Sequence, residues 1–140
     1  MENESKYKHS ELTQIIIGTF YEVYNELGFG FLESVYRKSL RIALQEKILT
    51  AEEEVEAAVL FHGKNVGDFK ADLLVNGLIL IELKTADNLS PAHEAQILNY
   101  LRATSLELGL LLNFGPKPQV RRFLLDNERK QYRHSAGSAL

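Results

Sequence analysis

Apolar positions in the first third of the chain repeat with the period of a helix. One stripe, spaced by three and four residues, comprises Leu12, Ile16, Phe20 (or Thr19), Val23 and Leu27. This spacing predicts an amphipathic helix with Ser10 as its N-cap, ended by the glycines of Gly28-Phe29-Gly30. A second helix is predicted from near Phe31 to about Lys47, on apolar positions of the same period: Leu32, Val35, Tyr36, Leu40, Ala43 and Leu44.

The middle of the chain has the patterns of strands. Residues 54–61 alternate with a period of two, and residues 66–75 and 78–84 form two further strand-like segments. Asn76-Gly77 separates these two segments, and this dipeptide is a strong signal for a hairpin. The sequence therefore predicts three consecutive strands connected by short turns.

The last third of the chain returns to a helix and then to strands. Ser90-Pro91 provides an N-cap and a first helical residue for a helix that extends to about Thr104. The nearly continuous apolar run at 108–114 is typical of a strand covered on both faces, and residues 120–125 are predicted as a final strand. The order α-α-β-β-β-α-β-β predicts an α/β fold, a mixed sheet with flanking helices and a right-handed helical crossover.

Composition narrows the class of protein. The 140 residues, 45% hydrophobic and 25% charged, fit a single globular domain, 1–140, whose ends at 1–9 and 126–140 we expect to be flexible. The absence of cysteine excludes disulfides, Fe–S clusters, Cys-based zinc sites and a thiol nucleophile. Without an apolar run of about 18 residues or an N-terminal signal core, we expect a cytoplasmic protein with no membrane association. The net charge of −3 provides no global basic field for nucleic acid, although a local patch or a metal ion could supply the attraction.

Charged residues interrupt two of the predicted strands. Asp72 lies within an otherwise apolar segment, and Glu82 and Lys84 lie at the end of the next strand, on one face and about 7 Å apart. For an isolated Glu-x-Lys the usual role is a salt bridge on a solvated face. Charges within half-buried strands are costly unless they are paired or bind a metal, so the nearby Asp72 favours a site.

The register of the hairpin decides whether the two carboxylates meet. A two-residue loop at Asn76-Gly77 would pair Val75 with Leu78 and leave Asp72 and Glu82 on opposite faces. A three-residue loop that includes Leu78 pairs Val75 with Ile79, which gives an index sum of 154 and places Asp72 opposite Glu82. A shared carboxylate site requires the longer loop or a bulge, and we predict it, with Gly77 in the left-handed conformation.

In that register the Cβ atoms of Asp72 and Glu82 are about 5 Å apart, so the two anions repel each other. A divalent cation would relieve this repulsion, and a site of oxygen ligands alone suits Mg²⁺ or Mn²⁺ rather than zinc. Lys84 would lie beside the metal, where its ammonium could orient a water and stabilise charge that develops on a phosphate.

Several segments together resemble the GxxExxY family, which is placed in the PD-(D/E)XK nuclease-like superfamily. The name-giving motif matches at Gly30, Glu33 and Tyr36, and the resemblance covers roughly residues 10–125. Asp72, the Glu82-Leu83-Lys84 triplet and the segments 95–101 and 109–115 also match. The resemblance implies a restriction-endonuclease-like αβββαβ core, which agrees with the order of elements above. The proline that names the superfamily motif is replaced by Ala71 in this chain.

The resemblance also implies roles for individual residues. Asp72 and Glu82 would bind the metal, assisted by the carbonyl of Leu83, and Lys84 would be the catalytic lysine. Glu33 matches an accessory acid that helps to hold a metal or a water, and Gln96 matches a polar residue lining the site. Catalytic residues implied in this way are Glu33, Asp72, Glu82, Lys84 and Gln96.

For some of these residues a purely structural role is equally open. The helix dipole alone favours an acid at Glu33, and Gln96 could be an ordinary solvated side chain. Tyr36 and Tyr100 match family positions and are candidate substrate contacts, but each could instead belong to the core. Arg121 and Arg122, on the predicted last strand, are candidate phosphate contacts.

The function predicted from the sequence is a Mg²⁺- or Mn²⁺-dependent nuclease, an enzyme that hydrolyses phosphodiester bonds of DNA or RNA. The alternative is a module on the same fold that binds nucleic acid or protein without catalysis. Nucleic acid is the expected partner in either case. A core of this size has little surface for selecting a substrate, which leaves a homodimer or a partner protein open.

Overall fold

The computed structural model describes residues 9–130. The expected flexible segments at 1–8 and 131–140 lie outside the described residues. The order of elements is the predicted one, with three helices and five strands: α1 (Ser10–Leu27), α2 (Glu33–Glu46), β1 (Ala51–Phe61), β2 (Lys64–Val75), β3 (Ile79–Lys84), α3 (Pro91–Ala103), β4 (Leu108–Phe114) and β5 (Pro118–Leu124). A short 3₁₀ turn, Asn127–Arg129, follows β5.

The five strands form one mixed sheet in the order β1-β2-β3-β4-β5. Neighbouring strands are antiparallel except for β3 and β4, which are parallel and are connected through α3. Parallel neighbours need such a crossover because the chain must return to the same end of the sheet. The predicted α/β class with a mixed sheet and flanking helices is confirmed.

The β2–β3 hairpin has the predicted three-residue loop. Val75 pairs with Ile79 and Leu73 with Ile81, which is the register with an index sum of 154. The N–H of Leu78 donates to the carbonyl of Val75 at 2.9 Å, and Gly77 has a φ of +65°. The backbone therefore directs Asp72 and Glu82 toward each other, as the candidate site requires.

Each face of the sheet has its own apolar core. On one face, α1 and α2 cover a large cluster that includes Ile79, Ile81 and Leu83 of β3. On the other face, α3 covers a smaller cluster in which Leu80 of β3 contacts residues such as Ile97 and Tyr100. The side chains of β3 therefore alternate between the two cores, as the period of a strand requires.

The β1–β2 ladder twists sharply beside Asp72. Leu73 packs in the α1/α2 core, whereas Ala71, two residues earlier, packs in the α3 core. A regular strand would place both on one face. The irregularity coincides with Glu54 on β1, whose φ of 53° lies in the left-handed region, at the position opposite Asp72 in this register. The twist therefore occurs at Asp72, whose carboxylate is a candidate metal ligand.

Some predicted boundaries are wrong. The N-cap of α1 is His9 rather than Ser10, and α2 begins at Glu33 because Leu32 is still extended. The strand β1 begins at Ala51, before the alternation becomes visible. The strand β5 begins at Pro118, which an edge strand tolerates as its first residue.

Residues 126–130, the described part of the C-terminal segment expected to be flexible, contact the rest of the domain. The Lys130 ammonium is buried and donates to the carbonyls of Thr104 and Leu106 at 2.8 and 2.7 Å. The N–H of Asn127 donates to the carboxylate of Glu107 at 2.7 Å. The carbonyls of Thr104 and Leu106, just beyond the end of α3, thus supply the acceptors that the buried ammonium of Lys130 needs. Among residues 9–130, no helix combines the length and the hydropathy needed to cross a bilayer.

Candidate active site

Asp72 lies at the point where the assigned pairs of β2 and β3 end. Its carboxylate accepts a hydrogen bond from the backbone N–H of Leu83 at 2.7 Å. This bond fixes the side chain against β3 and lowers the pKa of Asp72, but burial outweighs it and raises the pKa above its ordinary value. Asp72 is therefore a carboxylate held in place at a site that disfavours its charge.

Glu82 is the most deeply buried acid of the site, with only 5% of its surface exposed. Loss of solvation and the nearby charge of Asp72 together raise the pKa of Glu82 to about 8, against a partial opposing effect of the Lys84 ammonium. Two carboxyl groups that share such a site do not both ionise readily unless a cation joins them. The structure brings Asp72 and Glu82 within interaction distance of each other.

Lys84 is held by the crossover helix. Its ammonium donates to the side-chain carbonyl of Gln96 on α3 at 3.0 Å. The positive charge of Lys84 also lowers the pKa of Asp72, Glu82 and Glu33, so it lies within electrostatic reach of all three acids. Gln96 is an exposed residue, and its contact with Lys84 gives it a specific position at the edge of the site.

Glu33, in the first turn of α2, is the third acid near this pair. Burial and then the charge of Asp72 raise the pKa of Glu33, whereas Lys84 and Arg37 lower it. The structure therefore brings together all five residues that the resemblance assigned to catalysis. However, residues 9–130 contain no set of three His, Cys, Asp or Glu side chains arranged to coordinate one ion. Glu33 stays a predicted accessory acid, beside the pair formed by Asp72 and Glu82.

The expected substrate contact by Tyr36 is wrong, because the side chain is fully buried. Its hydroxyl donates to the carbonyl of Gly28 at 2.6 Å and accepts from the N–H of Phe31 at 3.2 Å, while its ring stacks on Phe114 at 4.4 Å. These contacts fix the turn between α1 and α2. Tyr36 therefore determines where α2 begins and so where Glu33 lies.

Tyr100 is likewise buried and is not placed to contact a substrate. Its hydroxyl donates to the carbonyl of Val55 at 2.9 Å, beside the twist in the β1–β2 ladder. Burial and the charge of Glu82 both raise its pKa, so the phenol stays neutral. Tyr100 packs close to Glu82 and supports the twisted segment.

The two arginines of β5 face opposite sides of the sheet. Arg121 pairs with Leu111, which in turn pairs with Glu82, so Arg121 lies in the same row as Glu82 and two strands, or about 10 Å, away. Its neighbour on the same face, Phe123, packs against the α3 core. Arg122 pairs with Leu110 of the α1/α2 core, so it lies on the face opposite Glu82.

Sequence reasoning missed two residues that support the site. Arg37 contacts Glu53 at 3.2 Å and Glu54 at 3.1 Å, and its charge lowers the pKa of Glu33 and Asp72. Its position four residues after Glu33 was an available signal, since residues at this spacing share a helix face.

Asn113 is the second such residue. It is fully buried beside Lys84 in the parallel register, where its amide accepts from the N–H of Ala86 at 2.9 Å and donates to the Ala86 carbonyl at 2.8 Å. The chain just after Lys84 is thus fixed to β4. A polar residue inside the apolar run 108–114 was the available signal.

The donor set fits a magnesium ion. Asp72 and Glu82 offer only oxygen, and Mg²⁺ commonly uses one or two carboxylates with waters and substrate phosphates as its other ligands. Burial raises the pKa of both acids, and the charge of Asp72 raises that of Glu82 further, so a cation beside them would stabilise their charged forms. The residues present could therefore hold one divalent ion, with Glu33 as the accessory acid for a metal or a water.

Comparisons with known proteins agree with this geometry. The family model of the PD-(D/E)XK nuclease superfamily matches residues 10–123. The crystal structure of SSO0001 is similar in fold, with a TM-score of 0.54 and 24% sequence identity over 88% of this chain. This chain spans 62% of the length of that protein. No curated protein matches the chain significantly. The family match covers most of the described residues, and the chain belongs to the PD-(D/E)XK nuclease superfamily.

Proposed function

We propose that the protein is a Mg²⁺-dependent nuclease-like phosphodiesterase that hydrolyses DNA or RNA. The observation that carries this proposal is the pairing of the buried Glu82 and the half-buried Asp72 with the ammonium of Lys84. A salt-bridge network on a solvated face would not raise the pKa of Glu82 to about 8. Membership of the superfamily supports the same conclusion, and the motif around Glu33 is compatible with the GxxExxY group.

Each residue of the cluster has a chemical role in this proposal. Asp72 and Glu82 would hold the ion, which when bound would polarise a phosphoryl oxygen and lower the pKa of a bound water. Lys84, oriented by Gln96, would donate hydrogen bonds to the attacking water or to the charge that develops on the phosphate. In the reaction the water oxygen bonds to phosphorus and one P–O ester bond breaks, which leaves one phosphate end and one hydroxyl end.

Nucleic acid as the partner is supported by the local distribution of charge rather than by the net charge. Arg37 of α2 lies within electrostatic reach of Glu33 and Asp72, and Arg121 lies in the row of Glu82 on the same face of the sheet. These positive groups could contact phosphates on either side of the cluster.

The test compares the wild-type protein with Lys84→Ala on single- and double-stranded DNA and RNA, with Mg²⁺ and with Mn²⁺. Lys64→Ala is the matched control, because Lys64 is an exposed lysine at the tip of the β1–β2 hairpin. We expect cleavage of at least one substrate by the wild type and the control, and a loss of about 10²- to 10³-fold in Lys84→Ala. Equal rates in all three proteins would contradict the proposed role of Lys84.

A second candidate function is binding without catalysis. The positive groups around the cluster could contact phosphates without any cleavage, so this arrangement of charges fits binding alone as well. If the wild type binds nucleic acid but cleaves none of the four substrates with either metal, and binding survives in Lys84→Ala, the binding module is the better description.

A further inference from the structure

Two phenylalanines project from the turn between α1 and α2. Phe29 is 60% exposed and Phe31 is 49% exposed, and they lie on either side of Gly30. Single exposed apolar residues are common on proteins, but adjacent aromatic rings at one edge of a polar site are more informative. A bound ligand could cover these exposed rings.

The two rings border a pocket of about 280 Å³. Thr85, Asp87 and Pro116 supply other parts of its wall. The pocket therefore combines aromatic faces with a hydroxyl and an exposed carboxylate. A pocket of this composition suits a flat, partly polar group, whereas the carboxylate of Asp87 repels a phosphate.

This pocket lies near the candidate active site along the chain. Phe31 precedes Glu33 by two residues, and Thr85 directly follows Lys84. Since consecutive Cα atoms are about 3.8 Å apart, the backbone of these two wall residues lies within about 8 Å of the backbone of Glu33 and Lys84. A group bound there would belong to the nucleotide next to the reacting phosphate.

The pocket wall is fixed in position even though its rings are exposed. The N–H of Phe31 donates to the buried hydroxyl of Tyr36 at 3.2 Å. The rings of Phe31 and Tyr36 are in edge-to-face contact, with their centroids 6.0 Å apart. On the opposite wall, a Cβ at Gly115 would lie 1.8 Å from the carbonyl of Ala86, so the β4–β5 turn approaches this segment as closely as glycine allows. The aromatic surface is thus pre-organised for a ligand.

We propose that this pocket binds one unpaired nucleobase of the substrate, stacked on Phe31 and Phe29, with Asp87 as an acceptor for a ring N–H or an exocyclic amino group. This inference rests on the proposed function, because it places the base beside the phosphate to be cleaved. A base within a duplex would have to leave its stack to reach the pocket. The protein therefore favours single-stranded or unpaired segments over intact duplex.

The test measures binding without hydrolysis, in the Lys84→Ala background with Mg²⁺. A single-stranded DNA oligonucleotide carrying 2-aminopurine reports stacking by loss of its fluorescence, and a matched duplex serves as the second ligand. Phe31→Ala and Phe29→Ala remove the stacking faces, and Phe61→Ala is the control because Phe61 is 61% exposed on β1. We expect about five- to hundredfold weaker single-strand binding for the two test variants and no change for the control.

A further variant separates stacking from folding. Phe31→Leu keeps an apolar side chain but removes the ring, so it should fold as the wild type does and still lose the fluorescence quenching. Equal single-strand affinity and quenching in Phe31→Leu, Phe31→Ala and Phe61→Ala would overturn the inference, whatever the wild type cleaves. If binding depends on Phe31 but the wild type cleaves nothing, the base pocket stands and the proposed nuclease function falls.

Discussion

The two faces of β3 differ in what they bury. On the α1/α2 face, Ile79, Ile81 and Leu83 are fully buried in hydrocarbon. On the α3 face, Leu80 is followed by Glu82 and Lys84, so that one strand changes from apolar to charged within five residues. The α1/α2 face stabilises the fold through its apolar core. On the α3 face, the charged residues Glu82 and Lys84 at the end of β3 have an electrostatic cost. Such a cost is typical of sites where function, rather than stability, determines the residues.

The difference between the faces has a structural origin. The N–H of Leu83 binds the carboxylate of Asp72, which attaches β2 to β3 at the site. On the apolar side, Leu83 packs with Tyr36 and Phe114 in the α1/α2 core. The same short strand is therefore held firmly on one side while it presents charges on the other. Rigid support of this kind keeps catalytic groups in place when no ligand is bound.

The largest effect is expected from Glu82→Gln, which removes a charge from the polar face. If Glu82 holds the ion, hydrolysis should fall by about a thousandfold or more, since metal catalysis is worth several kcal/mol. Stability at pH 8 should be unchanged or higher, because a buried charge has been removed. Initial rates and chemical denaturation measure the two effects. Glu56→Gln, at an exposed position of β1, is the control and should change neither.

Ile81→Ala tests the other face. Truncation of a fully buried side chain creates a cavity and should lower the free energy of unfolding by about 2–5 kcal/mol. The rate per folded molecule should stay close to that of the wild type at a temperature where both are folded. A large loss of rate with little loss of stability would contradict the assignment of stability to the α1/α2 face and of activity to the α3 face.

The pH dependence of stability follows from the raised pKa values of Glu82, Asp72 and Glu33. The folded protein holds the Glu82 proton up to a pH of about 8, whereas the unfolded chain releases it near 4.5. Unfolding is therefore increasingly favoured as the pH rises from about 4.5 to about 8. We expect the Tm without metal to fall over this range and the fall to be smaller in Glu82→Gln. Added Mg²⁺ should restore more of the Tm at pH 8 than at pH 5; a Tm that rises over this range without metal would contradict the assignment.

The smallest effect is expected at β5, where two neighbouring arginines face opposite sides. Arg121→Ala should weaken binding of nucleic acid a few-fold and lower the slope of log affinity against log salt by about one. Arg122→Ala changes the same charge on the α1/α2 face and should leave both unchanged. Binding titrations at several salt concentrations distinguish the two, and equal effects would mean that the face of the sheet is irrelevant to binding.

Local patterns were sufficient to predict the order of the elements. The hairpin register was not fixed by the Asn76-Gly77 signal, which also allowed a two-residue loop, and it was predicted because only the longer loop, or a bulge, brings Asp72 and Glu82 together. The positive φ of Glu54 and the burial of Tyr36 depend on packing between distant segments, which no local pattern encodes. Strand alternation alone places the adjacent Arg121 and Arg122 on opposite faces. Which of the two shares the face of Glu82 depends on the register from β3 through β4 to β5, which no local pattern encodes.

The central claim is that Asp72 and Glu82 together bind one divalent ion, and calorimetric titration with Mn²⁺ tests it most directly. The wild type should bind one ion per chain with release of protons, since the ion replaces the proton of a raised-pKa acid. Asp72→Asn and Glu82→Gln should each weaken binding at least tenfold, whereas Asp68→Asn, at an exposed position of the same strand, should match the wild type. Equal affinities in all four proteins, or no binding by the wild type, would contradict the claim.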